Sequence, residues 1–370
     1  MFSSETLFFS SFLVFILLML ALDLGVFSKS SHTISFKEAA IWSVVWVSLA
    51  LAFFIFLRYE GHLIHNPQTL EEIIERVDIE DRSVLALSPD KSFEENLQIY
   101  RNYISVEFIT AYLIEYALSA DNIFVIILIF SSFGLREEYY KKVLFWGVLG
   151  AIVMRFIFIF LGIELVKQIH WILYVFGAFL VYQGVKIFFE KDDDDEEEID
   201  PQKHPVVRFA SRYFSVYPHY EGDKFFVKKN GKKMMTTLFL VLMIVEFTDL
   251  IFAVDSVPAV LGITHDQPIA YFSNIFAIMG LRSMFFLLSN VMHLFHYLKY
   301  GLGVLLTFIG AKMILEYPLK AIGFQPVYSI YIIISILATS ITLSLLFPKK
   351  EKEESVDTKI LSEEKKSADL

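Results

Sequence analysis

The sequence predicts an all-α, polytopic membrane protein with about nine transmembrane helices that include an inverted 3+3 helix repeat. Three observations predict this class. Apolar residues make up 55% of the 370 residues, and the mean hydropathy of +0.54 is far above that of a soluble domain of this size. Long apolar runs recur along the chain, and two groups of three such runs resemble each other.

Each apolar run is long enough to cross about 30 Å of hydrocarbon, which takes roughly 20 helical residues. The runs lie at 5–27, 38–57, 106–133, 143–165, 170–189, 235–262, 269–290, 299–316 and 327–347. The first run has no basic residue before it and no small-residue cleavage site after it. We therefore expect a retained helix there and not a removable signal peptide.

The runs divide the chain into seven segments. These are two N-terminal transmembrane helices at 1–57, an extracytoplasmic loop at 58–104, a first three-helix repeat at 105–190, a cytoplasmic acidic loop with a hairpin at 191–233, a second three-helix repeat at 234–317, a last transmembrane helix at 318–347 and a disordered cytoplasmic tail at 348–370. Asn230-Gly231 is typical of a type I′ hairpin turn. The acidic run at 190–200 is expected to be solvated loop, with a cation-collecting role as the alternative.

Basic residues in the short loops predict the orientation, because they are retained on the cytoplasmic side. Most of them fall on one side of the membrane if the N-terminus lies outside: Lys29, Lys37, Arg136, Lys141, Lys142, Lys299, Lys349 and Lys350. The chain is therefore expected in the inner or plasma membrane as a multi-pass protein, with its N-terminus outside and its C-terminus in the cytoplasm.

An internal repeat relates the fifth run to the eighth. At one offset of 126 residues, Tyr174, Gly177, Gly184, Lys186 and Glu190 match Tyr300, Gly303, Gly310, Lys312 and Glu316. The preceding runs align as well, and they place Arg155 over Arg282, Glu115 over Asp249, Asp121 over Asp255 and Asn122 over Ser256. Each half holds three spans, so the second half must enter the membrane from the opposite side. This predicts an inverted-topology repeat.

Carboxylates inside two of these runs are expensive to bury. Each charged residue at a helix centre costs roughly 2.5 to 3.5 kcal/mol, while each Leu, Ile, Phe or Val returns about 0.3 to 0.6 kcal/mol. The run at 235–262, with Glu246, Asp249 and Asp255, barely inserts alone. Such acids indicate a functional site, and the alternative is structural pairing with Arg155 and Arg282.

Helical spacing limits how the acids can meet. It places two sets on one face each: Glu115, Ser119 and Asn122, and Glu246, Asp249 and Ser256. Asp121 points about 120° away from Glu115, and Asp255 about 120° away from Asp249. A shared ligand therefore requires a distorted helix or closure by neighbouring spans. Pro258 offers a distortion in the second half, because it cannot donate a hydrogen bond to Val254.

The available ligand atoms favour a hard cation. The chain has no cysteine, and carboxylates, an amide and a hydroxyl suit Mg²⁺, Ca²⁺ or Mn²⁺. His293 and His296 could bind a metal, although interfacial packing is the simpler interpretation. No basic patch of the kind that binds nucleic acid is present.

Four segments resemble the TerC family, which includes the Alx proteins. They are "EFITAYLIEYALSADNIFVIILIF", "VEFTDLIFAVDSVPAVLGIT", "ALDLGVF" and "SNIFAIMGLRS". The resemblance implies multi-spanning proteins with an inverted repeat, associated with manganese efflux and, by older naming, tellurium resistance. By position, the family's acidic motifs fall on Glu115, Asp121, Asn122, Glu246, Asp249, Asp255 and Ser256, with Asp23 as a further candidate. The chain departs from the family in its longer 58–104 connection and in Leu238, where the family often has proline.

The leading hypothesis is a secondary transporter that exports a divalent metal cation, with Mn²⁺ implied by the resemblance. Glu115, Asp121, Glu246 and Asp249 would be ligands, Asp255 a ligand or proton carrier, and Asn122 and Ser256 neutral oxygen donors. Arg155 and Arg282 would balance the charge of the empty site, and export could be coupled to proton exchange. No enzymatic activity and no cofactor are expected.

Two alternatives from other classes stay open. One is a membrane-embedded scaffold that inserts other proteins or delivers metal to protein partners in the membrane. An intramembrane aspartyl protease is weaker, because the sequence has no Gly-x-Gly-Asp element.

Overall fold

The computed structural model describes residues 4–28, 35–77, 82, 85–169, 171–189, 207, 212, 215–217, 219–229, 232–291, 297–321, 324 and 326–347. Twelve helices lie in this part of the chain. They are α1 (Ser4–Ser28), α2 (Phe36–Glu60), α3 (His62–His65), α4 (Leu70–Arg76), α5 (Phe93–Ser132), α6 (Glu137–Gln168), α7 (Ile172–Phe189), α8 (Thr237–Leu261), α9 (Gln267–Val291), α10 (Leu298–Ile314), α11 (Glu316–Ala321) and α12 (Pro326–Leu346). The acidic run at 190–200, His293, His296 and the tail at 348–370 lie outside the described residues.

The long helices follow the nine apolar runs of the sequence. By length and composition, seven helices of the described chain can cross a membrane: α2, α5, α6, α7, α8, α9 and α12. The other two are shorter where described, since the apolar part of α1 covers Leu7–Met19 and α10 has 17 residues. The protein is therefore an all-α, multi-pass membrane protein, and nine spans stay a prediction.

Helix α5 is much longer than a bilayer requires. Its 40 residues extend about 60 Å at 1.5 Å per residue, twice the hydrocarbon thickness. A capping box begins the helix, because Ser92 accepts from the backbone N–H of Glu95 and the Glu95 carboxylate accepts from that of Ser92. Together with α3 and α4, the first turns of α5 make the 58–104 connection a folded unit and not an open loop. We call residues 61–104 the cap.

Buried polar contacts fasten the cap to the loop between α8 and α9. Nε2 of His65 lies 2.7 Å from Oδ2 of Asp266, with both side chains nearly inaccessible. Nη1 of Arg76 lies 2.7 Å from Nδ1 of the same imidazole. Beside them, Thr264 donates a hydrogen bond to the buried Glu107. The cap is thus joined to the second half of the chain.

Helix α9 lies at the centre of the bundle. Of its apolar stretch, 89% is buried, because α2, α5 and α6 pack around it. Aromatic rings from α1, α2 and α5 also pack against α9. The ring centroids of Phe12 on α1 and Phe272 lie 4.1 Å apart, and Phe53 on α2 packs against Phe108 and Phe276. The polar residues Ser273, Asn274, Arg282 and Ser283 of α9 are therefore buried inside the bundle.

Helices α7 and α10 pack closely and antiparallel through glycines. A Cβ on Gly177 would meet the carbonyl oxygen of Gly310, and a Cβ on Gly184 would meet that of Gly303. The same contacts are found in the reverse direction, from α10 to α7. Only residues without a side chain allow two helix backbones to approach this closely.

A small sheet precedes α8. Its strands are β1 (Val216–Tyr217), β2 (Phe226–Lys229) and β3 (Lys232–Thr236), with β3 in the middle. β2 and β3 pair antiparallel, and Lys229 lies opposite Lys232. This register fits the hairpin that the sequence predicts, although the turn at Asn230-Gly231 lies outside the described residues. The parallel pairing of β1 with β3 was not predicted.

Candidate cation site

Acidic residues from α5 and α8 meet around one arginine of α6. An oxygen of Glu115 contacts Nη1 of Arg155 directly, and Oδ1 of Asp249 lies 3.8 Å from Nη2. Glu115 and Arg155 are fully buried, and Asp249 is 16% exposed. The two carboxylates, which the predicted repeat aligns with each other, therefore share one buried guanidinium.

Neutral groups complete the surroundings of this arginine. Nη1 of Arg155 donates hydrogen bonds to Oγ of Ser256 at 2.5 Å and to Oδ1 of Asn274 at 2.9 Å. Ser256 belongs to α8, and Asn274 makes α9 the fourth helix at the site. A buried charge is tolerated only when it is paired and hydrogen-bonded, and Arg155 meets both conditions. The guanidinium is thus held at a defined position.

Several polar atoms beside the arginine have unused hydrogen-bonding capacity. Within the described residues, four atoms are inaccessible and have no hydrogen-bond partner: Oε2 of Glu115, Oγ of Ser119, Oδ2 of Asp249 and Nε of Arg155. Buried polar atoms nearly always have a partner. Three of the four side chains offer oxygen atoms, which are the ligands that hard divalent cations take.

Glu246 lies on α8 about one turn before Asp249 and takes a different position. Its carboxylate lies against the backbone of α6 at Gly150, where an added Cβ would overlap both carboxylate oxygens. Any larger residue at position 150 would displace the carboxylate. A glycine there gives Glu246 a half-buried position on the side of α8 that faces α6.

The remaining candidate residues are only partly described. Asn122 is buried on α5, and Arg282 is buried on α9 near enough to Lys141 for their charges to interact. The side chains of Asp23, Asp121 and Asp255 lie outside the described residues. Among the side chains that the structure describes, no three His, Asp or Glu residues are grouped as a metal site.

Both acidic helices are continuous in the structure. The sequence suggested that Pro258 would distort α8 near the membrane centre, but α8 runs from Thr237 to Leu261 as one helix. Pro258 lies in the last turn of α8, where its carbonyl accepts a hydrogen bond from the backbone N–H of Gly262, the residue that follows the helix. A proline this close to the helix end interrupts little. The acids therefore converge through Arg155 and not through a broken helix.

Asn274 is a site residue that the sequence did not identify as one. It is fully buried, accepts from Arg155 through Oδ1 and donates through Nδ2 to the carbonyl of Ala270. A signal was present, because Ser273-Asn274 interrupts the otherwise apolar stretch at 269–281. An apolar run with one amide does not, however, show which neighbour that amide contacts.

Comparisons with known proteins agree on one family. The sequence model described as "Integral membrane protein TerC family" matches residues 100–353. An uncharacterized membrane protein of Myxococcus xanthus is 38% identical over 337 residues, which are 91% of each chain. A protein named Alx, described as a proposed membrane-bound redox modulator, is 40% identical in Salmonella typhi, over 84% of this chain and 85% of that one. Its Escherichia coli K12 counterpart is 39% identical over 84% and 86%. No solved structure matches the chain.

Proposed function

This chain belongs to the TerC family of integral membrane proteins, and we propose that it exports a divalent metal cation through an acidic site between α5 and α8. Mn²⁺ is the proposed cargo, because it is the ion that the family resemblance implies. Carboxylate, amide and hydroxyl oxygens are suitable ligands for it. No thiol is available, since the chain has no cysteine.

The position of Arg155 is the observation that carries this proposal. A buried guanidinium in contact with Glu115 and Asp249 occupies the place where a cation would bind the same two carboxylates. Removing a cation from two buried acids leaves a large unfavourable charge. We propose that the arginine supplies the positive charge when the site holds no metal, so that metal and guanidinium alternate.

The complete ligand set would come from both acidic helices. Glu115, Asp121, Glu246 and Asp249 would bind the ion directly. Asn122 and Ser256 would contribute neutral oxygens, and Ser119 has an unpartnered hydroxyl on the same face of α5. Asp255 would bind the ion or carry a proton, with Asp23 as a further candidate and Arg282 as a second balancing charge. Proton exchange is part of the proposal, because buried carboxyls gain protons readily once a cation leaves.

An inverted repeat would provide alternating access. Helices α5, α6 and α7 would correspond to α8, α9 and α10, and the halves would rock about the site. The glycine contacts support this proposal: Gly177 meets Gly310 while its repeat counterpart Gly303 meets Gly184. A two-fold relation between the halves requires such reciprocal contacts. The packing of α5 on α9 and of α8 on α6 follows the same exchange.

The orientation stays as the basic loops suggest. The N-terminus would lie outside and the C-terminus in the cytoplasm of the inner or plasma membrane. The cap would then lie on the outer side and the sheet on the cytoplasmic side. A redox role by thiol exchange, of the kind that the name of the Alx relatives brings to mind, would need cysteines that this sequence does not contain.

Transport can be tested with the full chain in proteoliposomes. Mn²⁺ flux, followed with an entrapped metal-sensitive dye, should be present for the natural chain and lost in Glu115→Gln and Asp249→Asn. Glu164→Gln, which removes an exposed carboxylate at the end of α6, is the matched control and should transport normally. Normal flux in both site variants would refute the proposed site.

An experiment in cells separates transport from the scaffold alternative. If the chain is a transporter, cells that lack it should become sensitive to manganese, and Asp249→Asn should fail to rescue them although it reaches the membrane. Rescue by this variant would favour a role in assembly.

Proton coupling has its own test in the proteoliposomes. If Mn²⁺ flux is unchanged when the pH gradient is collapsed and reversed, proton coupling is excluded, while the proposed metal site is unaffected.

A further inference from the structure

The β2–β3 hairpin brings lysines together across its two strands. Lys228 lies opposite Lys233, and Lys229 lies opposite Lys232. Like charges directly opposite each other destabilise an antiparallel pair. In the described part of the chain, Lys229 is paired with Glu221 at 3.2 Å, but the other three lysines have no acidic partner. An arrangement of this kind favours binding of an anion.

The hairpin is joined directly to a membrane helix. β3 ends at Thr236 and α8 begins at Thr237, so the backbone of Lys233 lies within about 13 Å of the helix start. The headgroup layer is about 5–8 Å thick, and a lysine side chain can extend through several more ångströms. The rings of Phe226 and Phe239, 4.6 Å apart, hold the hairpin against the first turn of α8.

A tryptophan indicates the level of the sheet relative to the bilayer. Trp146 on α6 is 44% exposed and packs edge-to-face against Phe225, which directly precedes β2. Lys142, one turn earlier on α6, lies over the same ring and pairs with Asp223. Tryptophan is enriched at the boundary between headgroups and hydrocarbon. The sheet therefore lies beside this boundary.

We propose that Lys228, Lys232 and Lys233 bind the headgroups of anionic phospholipids in the leaflet from which α8 enters the membrane. The negative headgroups neutralise the facing lysines, and the short distance to α8 makes the leaflet the nearest anionic surface of defined position. Because β3 continues into α8, this binding fixes the point at which the helix with Glu246 and Asp249 enters the bilayer. The proposal does not depend on the transported ion.

The acidic run at 190–200 is the competing partner for the hairpin. It carries the opposite charge on the same chain, whereas the leaflet is joined to the lysines through α8, which follows β3 directly. An experiment can distinguish the leaflet from the acidic run. Binding of the hairpin to lipid depends on the charge of the lipid, whereas binding of the hairpin to the acidic run does not.

The absence of cysteine allows a clean test with a single label. Lys224→Cys, an exposed position just before β2, is labelled with an environment-sensitive fluorophore in the full chain. The protein is placed in nanodiscs of phosphatidylcholine with increasing phosphatidylglycerol. We expect a blue shift that grows with phosphatidylglycerol and weakens at high salt. Each lysine near an anionic surface contributes about a fivefold change in the equilibrium constant for binding.

Charge variants identify the residues responsible. Lys228→Gln/Lys232→Gln/Lys233→Gln should abolish the shift. The matched control Lys37→Gln/Arg58→Gln/Lys167→Gln removes three exposed charges elsewhere and should retain it. A shift that survives in the hairpin variant would overturn the proposal. A second outcome would also overturn it. If the emission of the labelled chain responds to lipid charge only after the acids of 192–198 are changed to their amides, the acidic run is the partner of the hairpin.

Discussion

Nη1 of Arg155 donates a hydrogen bond of 2.9 Å to Oδ1 of Asn274, and this contact joins α6 to the central helix α9. Both side chains are buried. The amide can therefore hold the guanidinium between the acids of α5 and α8 without adding charge. Asn274 is a positioning residue in this arrangement, because it acts through Arg155.

Replacing Asn274 with leucine should lower the free energy of unfolding by about 1.5–3 kcal/mol. This is the usual loss for a buried hydrogen bond to a charged group. The measurement is thermal unfolding of the detergent-solubilised chain. Ser273→Ala is the matched control, since Oγ of Ser273 donates only to the carbonyl of Ala270 among the described contacts. Equal losses in both variants would show that Asn274 has no special role.

Replacing Arg155 with methionine should cost more, about 3–5 kcal/mol, because it leaves Glu115 and Asp249 without their shared positive charge. Adding Glu115→Gln removes one of those charges. The double variant should therefore lose less than the sum of the two single variants. The natural chain, the two single variants and the double variant are compared by denaturant unfolding. Strictly additive losses in the free energy of unfolding would mean that Arg155 and Glu115 do not interact.

Metal should stabilise the Arg155→Met variant more than the natural chain. If Mn²⁺ and the guanidinium alternate at one site, removing the guanidinium frees the carboxylates for the ion, and bound ligand raises stability by mass action. The measurement is the shift in melting temperature with added MnCl₂. Glu164→Gln should respond like the natural chain. An Arg155→Met variant with no larger shift than the natural chain would separate Arg155 from the metal site.

Much of this arrangement follows from sequence patterns that are local. The apolar runs fix the membrane helices, and the offset between Glu115 and Asp249 identifies the two acids that share Arg155. Pairing with an arginine was one of the two expected fates of these acids. The start of α5 can also be predicted from the sequence, because Ser92 followed by Glu95 three residues later is a capping-box pattern.

Contacts between distant segments could not be obtained in this way. The contact of His65 with Asp266 joins two connections that no periodicity relates, and the pairing of β1 with β3 depends on a strand of two residues. The continuous course of α8 through Pro258 depends on how near the proline lies to the helix end. Such features are set by tertiary packing, which a single sequence does not specify.

Gly150→Ala should impair transport through Glu246. The added methyl group would overlap the carboxylate and force it away from α6, while a Cβ at Gly147 would only approach Cγ1 of Val245 at 3.3 Å. Gly147→Ala is therefore the matched control on the same helix. We expect at least a tenfold loss of Mn²⁺ flux in the first variant, if displacing a ligand costs about 1.4 kcal/mol or more, and little change in the second. Equal flux in both would remove Glu246 from the path of the ion.

Asp266→Asn should weaken the attachment of the cap in a pH-dependent way. Burial acts to raise the pKa of Asp266, but His65, the N–H of Ile269 and Arg76 outweigh it and lower the pKa below its usual value. A lowered pKa stabilises the folded state above the unfolded value of about 3.9, and this gain disappears as pH falls through the folded value. Asparagine still caps α9, so the variant tests the contact with His65. We expect a loss of about 1.5–3 kcal/mol at neutral pH that shrinks below about pH 4, measured by thermal unfolding across pH. Asp223→Asn, an exposed partner of Lys142, should lose little at any pH. A loss in Asp266→Asn that does not change with pH would show that the negative charge of Asp266 does not contribute to its contact with His65.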